Sequence, residues 1–265
     1  MIGARLLRTA RLMAPAASAC ACAAVVSEYR RAESAAAPLP KVHLHYFGLQ
    51  GVAETVRHVM ALGEMEWTES KWAVDFKKVD MKDVANTLPI ASPGFAEAQK
   101  AGVLDPNMRR APVAIIDGKD SIGQSKTIER YLARRLGLMG ADEIEEAHID
   151  MITEHVRDIK DKYQKAKADK EEKATFFAEV MPDFMQRLEK VVAGRSVHGE
   201  GPSLVGSKLS LADVTLYVFL TDFFDDKKSA SASIEGCPRL QAAMKAVGDH
   251  AGVVKYRQAR DNKAT

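Results

Sequence analysis

The chain has 265 residues, which is enough for two domains, and 46% of them are hydrophobic, which is ample for a buried core. The net charge of +2 comes mainly from residues 1–40, which contain five arginines and two glutamates, whereas the remainder carries 33 basic and 34 acidic residues. The sequence has neither the basic cluster of a nucleic-acid-binding protein nor an apolar stretch long enough to span a membrane.

The first 40 residues have the composition of a targeting segment. They are rich in alanine, carry arginines spaced to share a helix face, and contain no acidic residue before Glu28. This pattern is typical of an organellar transit peptide and predicts a mitochondrial location. Two alternatives stay open, a secretory signal with residues 14–26 as its apolar region and a disordered tail. In the latter case the protein is expected in the cytoplasm.

A strand, a loop and a helix open the folded part. Residues 41–47 alternate between apolar and polar, so that Val42, Leu44 and Tyr46 share one face of a predicted strand. A helix is predicted over residues 52–62. In a βαβ unit of this kind, ligands collect at the carboxyl ends of the strands, which is where Tyr46 lies.

Residues 63–109 are the least regular part of the chain. They contain two tryptophans, and a long segment over residues 89–107 precedes the next clear motif. The apolar residues between Phe95 and Ala101 predict a short helix within that segment.

A proline, a hairpin and a helix follow in close order. Pro112 precedes an apolar run, Val113 to Ile116, and an Asp-Gly turn then leads into a second short strand at 120–122. A proline at the first position of a strand has no N–H to contribute to the ladder and is a candidate for a cis peptide bond. Ser125 lies where a helix with apolar residues at helical spacing begins, and Gly137 ends that helix.

From Asp142 onward the periodicity indicates long helices and no further strands. Ile149, Ile152, Val156 and Ile159 recur at helical spacing. A further helix is predicted over residues 176–192. Ser210 and Asp213 form a Ser-x-x-Asp capping box before an apolar helix, and Pro238 is predicted to open the last helix. The three cysteines, Cys20, Cys22 and Cys237, have no metal-ligand or redox spacing, and Cys237 is predicted to be a buried thiol.

The order of motifs from Pro112 through Gln124-Ser125 to Gly140, with the capping box downstream, resembles the cytosolic glutathione transferases, and most of all the sigma class with its glutathione-dependent prostaglandin D synthases. The resemblance implies a thioredoxin-like α/β domain over residues 41–140, followed by an all-α domain over residues 142–265. It also implies a homodimer that binds glutathione and a hydrophobic electrophile.

The resemblance assigns roles to individual residues. Tyr46 is expected to be catalytic, because a phenolic O–H that donates to the glutathione sulfur lowers the pKa of the thiol. Alternatively, Tyr46 only packs the strand end, Trp72 is only a hydrophobic anchor, and Ser125 is only a helix N-cap. The residues expected to bind glutathione are Tyr46, Trp72, Lys77, Arg110, Ala111, Pro112, Gln124, Ser125 and, from the second subunit, Asp158.

The sequence departs from the family pattern in two places. Gln50 and Val52 occupy positions where arginines commonly follow the tyrosine, one of which supports it electrostatically. Some relatives bind a divalent metal between carboxylates at the position of Glu154, Arg157 and Asp158, but because Arg157 replaces an acid no metal is predicted here.

The predicted function is therefore detoxifying conjugation of glutathione to small hydrophobic electrophiles. Two alternatives stay open. One is a glutathione-dependent isomerase of the prostaglandin D synthase type. The other is a non-catalytic binding protein with the same fold, which the loss of the arginine at Val52 would explain.

Overall fold

The computed structural model describes residues 38–80, 82–194 and 201–262. The predicted transit peptide at residues 1–40, with Cys20 and Cys22, lies outside the described residues except for its last three positions, and it stays a prediction. Within the described part of the chain, no helix is both long and apolar enough to cross a bilayer.

A four-stranded mixed sheet forms the N-terminal part. Its strands are β1 (Val42–Phe47), β2 (Trp67–Trp72), β3 (Val113–Ile116) and β4 (Asp120–Gly123), in the spatial order β2-β1-β3-β4. β1 and β2 are parallel, whereas β3 is antiparallel to both β1 and β4. The predicted first strand and the predicted hairpin are therefore confirmed.

The edge strand β2 was not predicted. Its sequence, Trp-Thr-Glu-Ser-Lys-Trp, is mostly polar, and none of its residues is fully buried. A strand at the edge of a sheet has one solvated side and needs no continuous apolar run. The informative signal was the position of this segment one helix after β1, where the parallel partner of a βαβ unit belongs.

Four α-helices accompany the sheet in the part of the chain that the structure describes. The crossover helix α1 follows a short 3₁₀ turn at Gly51–Ala53, and every one of its residues is buried. The predicted short helix before Pro112 is present as α3, which buries Phe95. The bounds are α1 Glu54–Leu62, α2 Val84–Ala91, α3 Pro93–Lys100 and α4 Ser125–Arg135.

The described residues from Asp142 onward contain only helices, turns and an isolated bridge. The predicted apolar series on the first of them is buried in the core. π-helical turns at Phe176–Val180 and Phe219–Phe223 lie between successive α-helices. The helices are α5 Glu143–Ala166, α6 Lys170–Thr175, α7 Met181–Val192, α8 Leu211–Val218, α9 Lys227–Ala232, α10 Pro238–Asp249 and α11 Ala251–Asp261. Thus the architecture is thioredoxin-like α/β followed by all-α, as predicted.

The prediction that Pro238 opens the last helix was wrong. Pro238 is the first residue of α10. His250, which has an extended backbone, ends that helix, and α11 begins at the next residue. α11 packs closely against α1, because a Cβ at Gly252 would lie 2.0 Å from the carbonyl oxygen of Ala61. A glycine inside a helix lowers helix propensity, and here it permits that close approach.

The predicted capping box is confirmed at the start of α8. The buried Asp213 carboxylate accepts hydrogen bonds from the backbone N–H of Leu204 at 2.8 Å, and from the backbone N–H and hydroxyl of Ser210, both at 2.7 Å. Burial raises the pKa of Asp213 to about 6, although the bonds from Ser210 and Leu204 favour its charged form. The carboxylate therefore fixes both the helix start and the loop before it.

We predict that Asp213→Asn lowers the free energy of unfolding at pH 7 by about 1–3 kcal/mol. The amide nitrogen cannot accept, so at least one buried donor is left without an acceptor. Urea unfolding of both variants measures the effect, with Asp226→Asn as the matched control. Asp226 is an exposed N-cap of α9, where asparagine caps as well as aspartate. Equal effects of the two substitutions would contradict the role assigned to Asp213.

Candidate functional site

The sheet register places several of the predicted site residues at one end of the sheet. Phe47 pairs with Trp72 across β1 and β2, and His45 pairs with Val113 across β1 and β3. Continuing that antiparallel register by one residue sets Pro112 beside Tyr46. The carboxyl ends of β1 and β2 and the start of β3 therefore meet at one end of the sheet, across the strands, and this end is called the sheet edge below.

The same register brings in the start of α4. Val113 pairs with Gly123 across the hairpin, so the residues that follow Gly123 lie next to the residues that precede Val113. Gln124 and Ser125 are therefore neighbours of the Ala111–Pro112 segment. Strand order thus gathers Tyr46, Trp72, Ala111, Pro112, Gln124 and Ser125.

Tyr46 is buried at the centre of this edge, with 6% of its surface exposed. Its hydroxyl accepts a hydrogen bond from the backbone N–H of Val52 at 3.1 Å. Gly51 lies directly against it, because a Cβ at Gly51 would be 2.4 Å from the hydroxyl oxygen. An oxygen that accepts one N–H still has its own proton to donate.

The surroundings of Tyr46 keep its phenol protonated. Burial raises the pKa of Tyr46, the Val52 N–H and the Arg57 guanidinium lower it, and the Glu54 carboxylate raises it, with a net increase. The side chain is consequently a hydrogen-bond donor at neutral pH, and it is not a phenolate base.

Arg57 was not predicted as a site residue, but it lies beside Tyr46. Its guanidinium carbon lies 5.7 Å from the centre of the Tyr46 ring, and its Nη1 donates to the carbonyl oxygen of Leu49 at 2.8 Å. Its Nε and Nη2 donate to the two carboxylate oxygens of Glu69, each over 3.0 Å, and so form a bidentate pair. An arginine thus does lie beside the tyrosine, but it is the fourth residue of α1 and does not come from position 52. The signal was its place on a helix face above the strand end, three residues after Glu54.

The predicted cis bond is present between Ala111 and Pro112. The side-chain amide of Asn107 donates to the carbonyl oxygen of Pro112 at 3.0 Å, and Gln99 donates to the carbonyl oxygen of Arg109 at 2.8 Å. Ala111 makes no backbone hydrogen bond to any other described residue. Its N–H and C=O are therefore available to pair with an extended peptide. Arg110 next to it is exposed.

Gln124, and not Ser125, is the N-cap residue of α4. Gln124 has a φ of +65°, which is uncommon for a residue with a side chain, and it makes no side-chain capping bond. Ser125 is the first helical residue, so the alternative that it serves only as the N-cap was wrong. The N–H groups of the first turn of α4 lack a side-chain cap and are suited to a carboxylate.

Trp72 and Lys77 have different surroundings. The Trp72 ring packs on Phe47 and Phe95, with ring centres 5.6 Å apart in both cases, and Gly94 touches its edge. This favours the hydrophobic-anchor interpretation of Trp72. Lys77 lies in an exposed 3₁₀ turn five residues beyond the sheet edge.

A cleft of about 400 Å³ adjoins the sheet edge, a size in the range of small-molecule sites. One wall is the segment that covers the Tyr46 hydroxyl, and the opposite wall comes from the C-terminal helices. Both apolar and charged side chains line it. The lining residues are Leu49, Gln50, Gly51, Glu54, Thr55, Phe76, Lys126, Val156, Arg157, Lys160, Thr215, Val218, Phe219, Asp222 and Phe223.

Asp158 lies on the exposed face of α5, away from the lining of the cleft. Its neighbour Glu154 is held by Arg130 at 2.5 Å and by Arg157 at 2.6 Å. The carboxylate of Glu154 is thus neutralised by two arginines, which leaves little reason for a metal ion to bind beside it.

The described residues contain one group with metal-ligand geometry, formed by Glu54, His58 and Asp222 at the base of the cleft. Arg260 occupies the space between its carboxylates, with Nη1 2.7 Å from Glu54 and 3.0 Å from Asp222. A metal ion would have to displace that guanidinium. The group is therefore better described as an ion-pair cluster.

Comparisons with known proteins agree with this geometry. A family model described as the C-terminal domain of glutathione S-transferase matches residues 149–260. Glutathione S-transferase 2 of Onchocerca volvulus is 29% identical over 178 residues, which cover 66% of this chain and 73% of the relative. The human hematopoietic prostaglandin D synthase is 25% identical over 199 residues, which cover 71% of this chain and 85% of the relative.

A solved structure of the Onchocerca volvulus Pi-class glutathione S-transferase has the same fold. It superposes with a TM-score of 0.65 at 24% identity, over 84% of this chain and 95% of the other. The sheet-end arrangement, the matched helical domain and the relatives found over most of the chain agree with one another. The chain is therefore similar to glutathione S-transferases over most of its length.

Proposed function

We propose that this protein conjugates glutathione to small hydrophobic electrophiles. The observation that carries the proposal is the sheet edge, where the buried Tyr46 hydroxyl lies beside the cis-Pro112 segment and next to a cleft lined partly by aromatic residues. Relatives named glutathione S-transferases support the same reaction. Detoxification is the role that such a reaction would serve.

The reaction follows from the protonation state of Tyr46. A cysteine-like thiol has a pKa of about 8.5, so little thiolate exists at neutral pH. The Tyr46 O–H donates to the glutathione sulfur and stabilises the thiolate, while the thiol proton passes to solvent. With a chloronitrobenzene, the sulfur forms a bond to the ring carbon and chloride leaves with the bonding electron pair.

The remaining predicted residues bind the peptide. Ala111 pairs its backbone with the cysteinyl part of glutathione, as in strand addition. Gln124, Ser125 and the uncapped start of α4 hold the γ-glutamyl carboxylate. Lys77 contacts the glycyl end, while Trp72, anchored on Phe47 and Phe95, contributes only the exposed part of its ring, and Arg110 and Pro112 shape the neighbouring backbone. Glutathione is thus a co-substrate that extends along the sheet edge.

Isomerisation of the prostaglandin D synthase type is a second candidate, supported by the human relative of that name. It would use the same glutathione site and differ only in the ligand that enters the cleft. Product analysis with a prostaglandin endoperoxide separates the two reactions, because an isomerase regenerates glutathione whereas a transferase consumes it.

We further propose a homodimer in which Asp158 reaches the glutathione amine in the other subunit. The exposure of Asp158 on α5 supports an intermolecular role. We predict that the protein elutes as a dimer in light-scattering chromatography, and that Asp158→Asn raises KM for glutathione about 10–100-fold through the loss of one charge-assisted hydrogen bond. Asp161→Asn, an exposed aspartate one turn further along α5, is the control. A monomer with an unchanged KM in Asp158→Asn would contradict the proposal.

We predict that Tyr46→Phe lowers kcat/KM for a chloronitrobenzene on the order of 100-fold, because it removes the donor to the sulfur. A loss of about tenfold is the smallest that fits this role. Steady-state conjugation rates measure this, with Tyr131→Phe on α4 as the matched control. Equal rates in wild type and Tyr46→Phe would show that backbone donors of the 48–52 segment activate the sulfur. Glutathione binding without turnover in the wild type would instead favour the non-catalytic alternative.

We predict that Arg57→Met lowers the free energy of unfolding by roughly 3–5 kcal/mol, because it leaves the Glu69 and Glu54 carboxylates buried with fewer partners. Urea unfolding measures the change. Arg187→Met is the control, since Arg187 and Asp183 form an exposed pair that contributes at most about 1 kcal/mol. A loss no larger than that of the control would show that Arg57 does not hold the 49–52 segment in place.

A further inference from the structure

Most, but not all, of the charged residues that line the cleft form an ion pair with another described residue. Arg260 bridges the two acidic lining residues, Glu54 and Asp222. Lys126 forms an ion pair with the buried Glu129 at 2.9 Å. The third pair joins Arg157 to Glu154 at 2.6 Å. Four of the five charged lining residues therefore already have an oppositely charged partner.

Lys160 is the fifth charged lining residue, and it has no such partner among the described residues. No carboxylate of the described chain lies within ion-pair distance of its amine, which instead lies 4.4 Å from the centre of the Phe223 ring. Burial and the nearby Lys126 lower the pKa of Lys160 to about 8, while Glu129 and Asp161 act in the opposite direction. A partly buried ammonium group without a counter-ion gains from an anionic ligand.

A second polar group in the cleft is also unsatisfied. Thr215 is 4% exposed and lines the cleft, and its hydroxyl has no hydrogen-bond partner in the described part of the chain. The lining around it is apolar, with Val156, Val218 and Phe219. Most ligand sites combine an apolar wall with a few polar groups of this kind.

Building on the proposed conjugation, we propose that Lys160 selects electrophiles that carry an anionic group, such as a carboxylate, on an apolar body. The carboxylate binds the Lys160 ammonium group, the Thr215 hydroxyl donates a hydrogen bond to it, and the apolar part packs on Phe219 and Phe223. The carboxylates of glutathione are assigned to the sheet edge, so Lys160 acts on the second substrate.

The reaction with such a substrate balances without a further reactant. For an α,β-unsaturated ketone that carries a carboxylate, the glutathione thiolate forms a carbon–sulfur bond at the β-carbon. The electron pair of the C=C bond moves onto the carbonyl to give an enolate, and the α-carbon takes a proton from solvent. Nothing leaves, and the carboxylate itself is unchanged.

The test compares ethacrynic acid with its methyl ester, which share one reacting carbon and differ in charge. We expect Lys160→Met to lower the acid-to-ester ratio of kcat/KM by about 10–100-fold, corresponding to one charge-assisted hydrogen bond. Lys160→Arg keeps the charge and should retain most of the preference. Lys162→Met, at an exposed position on the same helix, is the control and should leave the ratio unchanged.

The pH dependence provides a second readout. The preference for the acid is expected to fall as the pH rises through about 8, because the Lys160 amine loses its proton, and Lys160→Arg should abolish that fall. Lys126, Arg157, Glu129, Asp161, Glu54 and Asp222 are the other charged groups around the cleft. These groups are identical in the wild type and in Lys160→Arg, and both substrates react with the same thiol, so the acid-to-ester ratio isolates Lys160.

Three results would overturn the inference. Equal effects of Lys160→Met on acid and ester would mean that the side chain only packs, and a matching rise in KM for glutathione would assign Lys160 to the peptide site. If wild type conjugates neither compound, the proposed conjugation fails, and binding of the fluorescent anion anilinonaphthalene sulfonate then decides. A tenfold loss of its affinity in Lys160→Met would support the anion site, and an unchanged affinity would refute it.

Discussion

The buried carboxylate of Glu54 is the group on which the rest of the structure depends. Only 1% of Glu54 is exposed, and its oxygens accept hydrogen bonds from Arg57 at 3.2 Å, Tyr256 at 2.9 Å and Arg260 at 2.7 Å. A buried charge without partners would cost several kcal/mol, so these donors must be in place. Two of them come from α11, which therefore must dock on α1. Arg57 in turn holds the segment that covers the Tyr46 hydroxyl, so the position of Tyr46 depends on contacts from the far end of the chain.

The chemistry of the site rests on strand order. A parallel β1–β2 pair and an antiparallel β1–β3 pair bring the carboxyl end of β1 beside the start of β3, and the hairpin adds the start of α4. One edge consequently offers a phenolic donor, an unpaired backbone segment and uncapped helix N–H groups. These groups match the thiol, the peptide unit and the carboxylate of glutathione. The cleft beside them supplies the apolar surface and the unpaired Lys160 that a second substrate would meet.

Much of this could be predicted from the sequence, for reasons that differ between elements. β1, the hairpin and α4 have strong local signals, namely alternation, an Asp-Gly turn and helical spacing. The four-residue capping box from Ser210 to Asp213 likewise marks the start of α8. β2 lacked such a signal because an edge strand can be polar. Arg57 was missed because its contacts to Glu69 and Leu49 are set by tertiary packing. Lys160 is one of three lysines on α5, and only the structure shows that it lies on Phe223 without a carboxylate partner among the described residues.

The most direct test of the central claim is a pH titration of the ultraviolet absorbance of the thiolate of glutathione bound to the wild type and to Tyr46→Phe. We expect the bound thiol in the wild type to titrate clearly below about 8.5, the value of a free thiol, and Tyr46→Phe to return it toward that value. A bound thiol that titrates at the free value in both proteins would contradict the assignment of Tyr46 as the group that stabilises the thiolate.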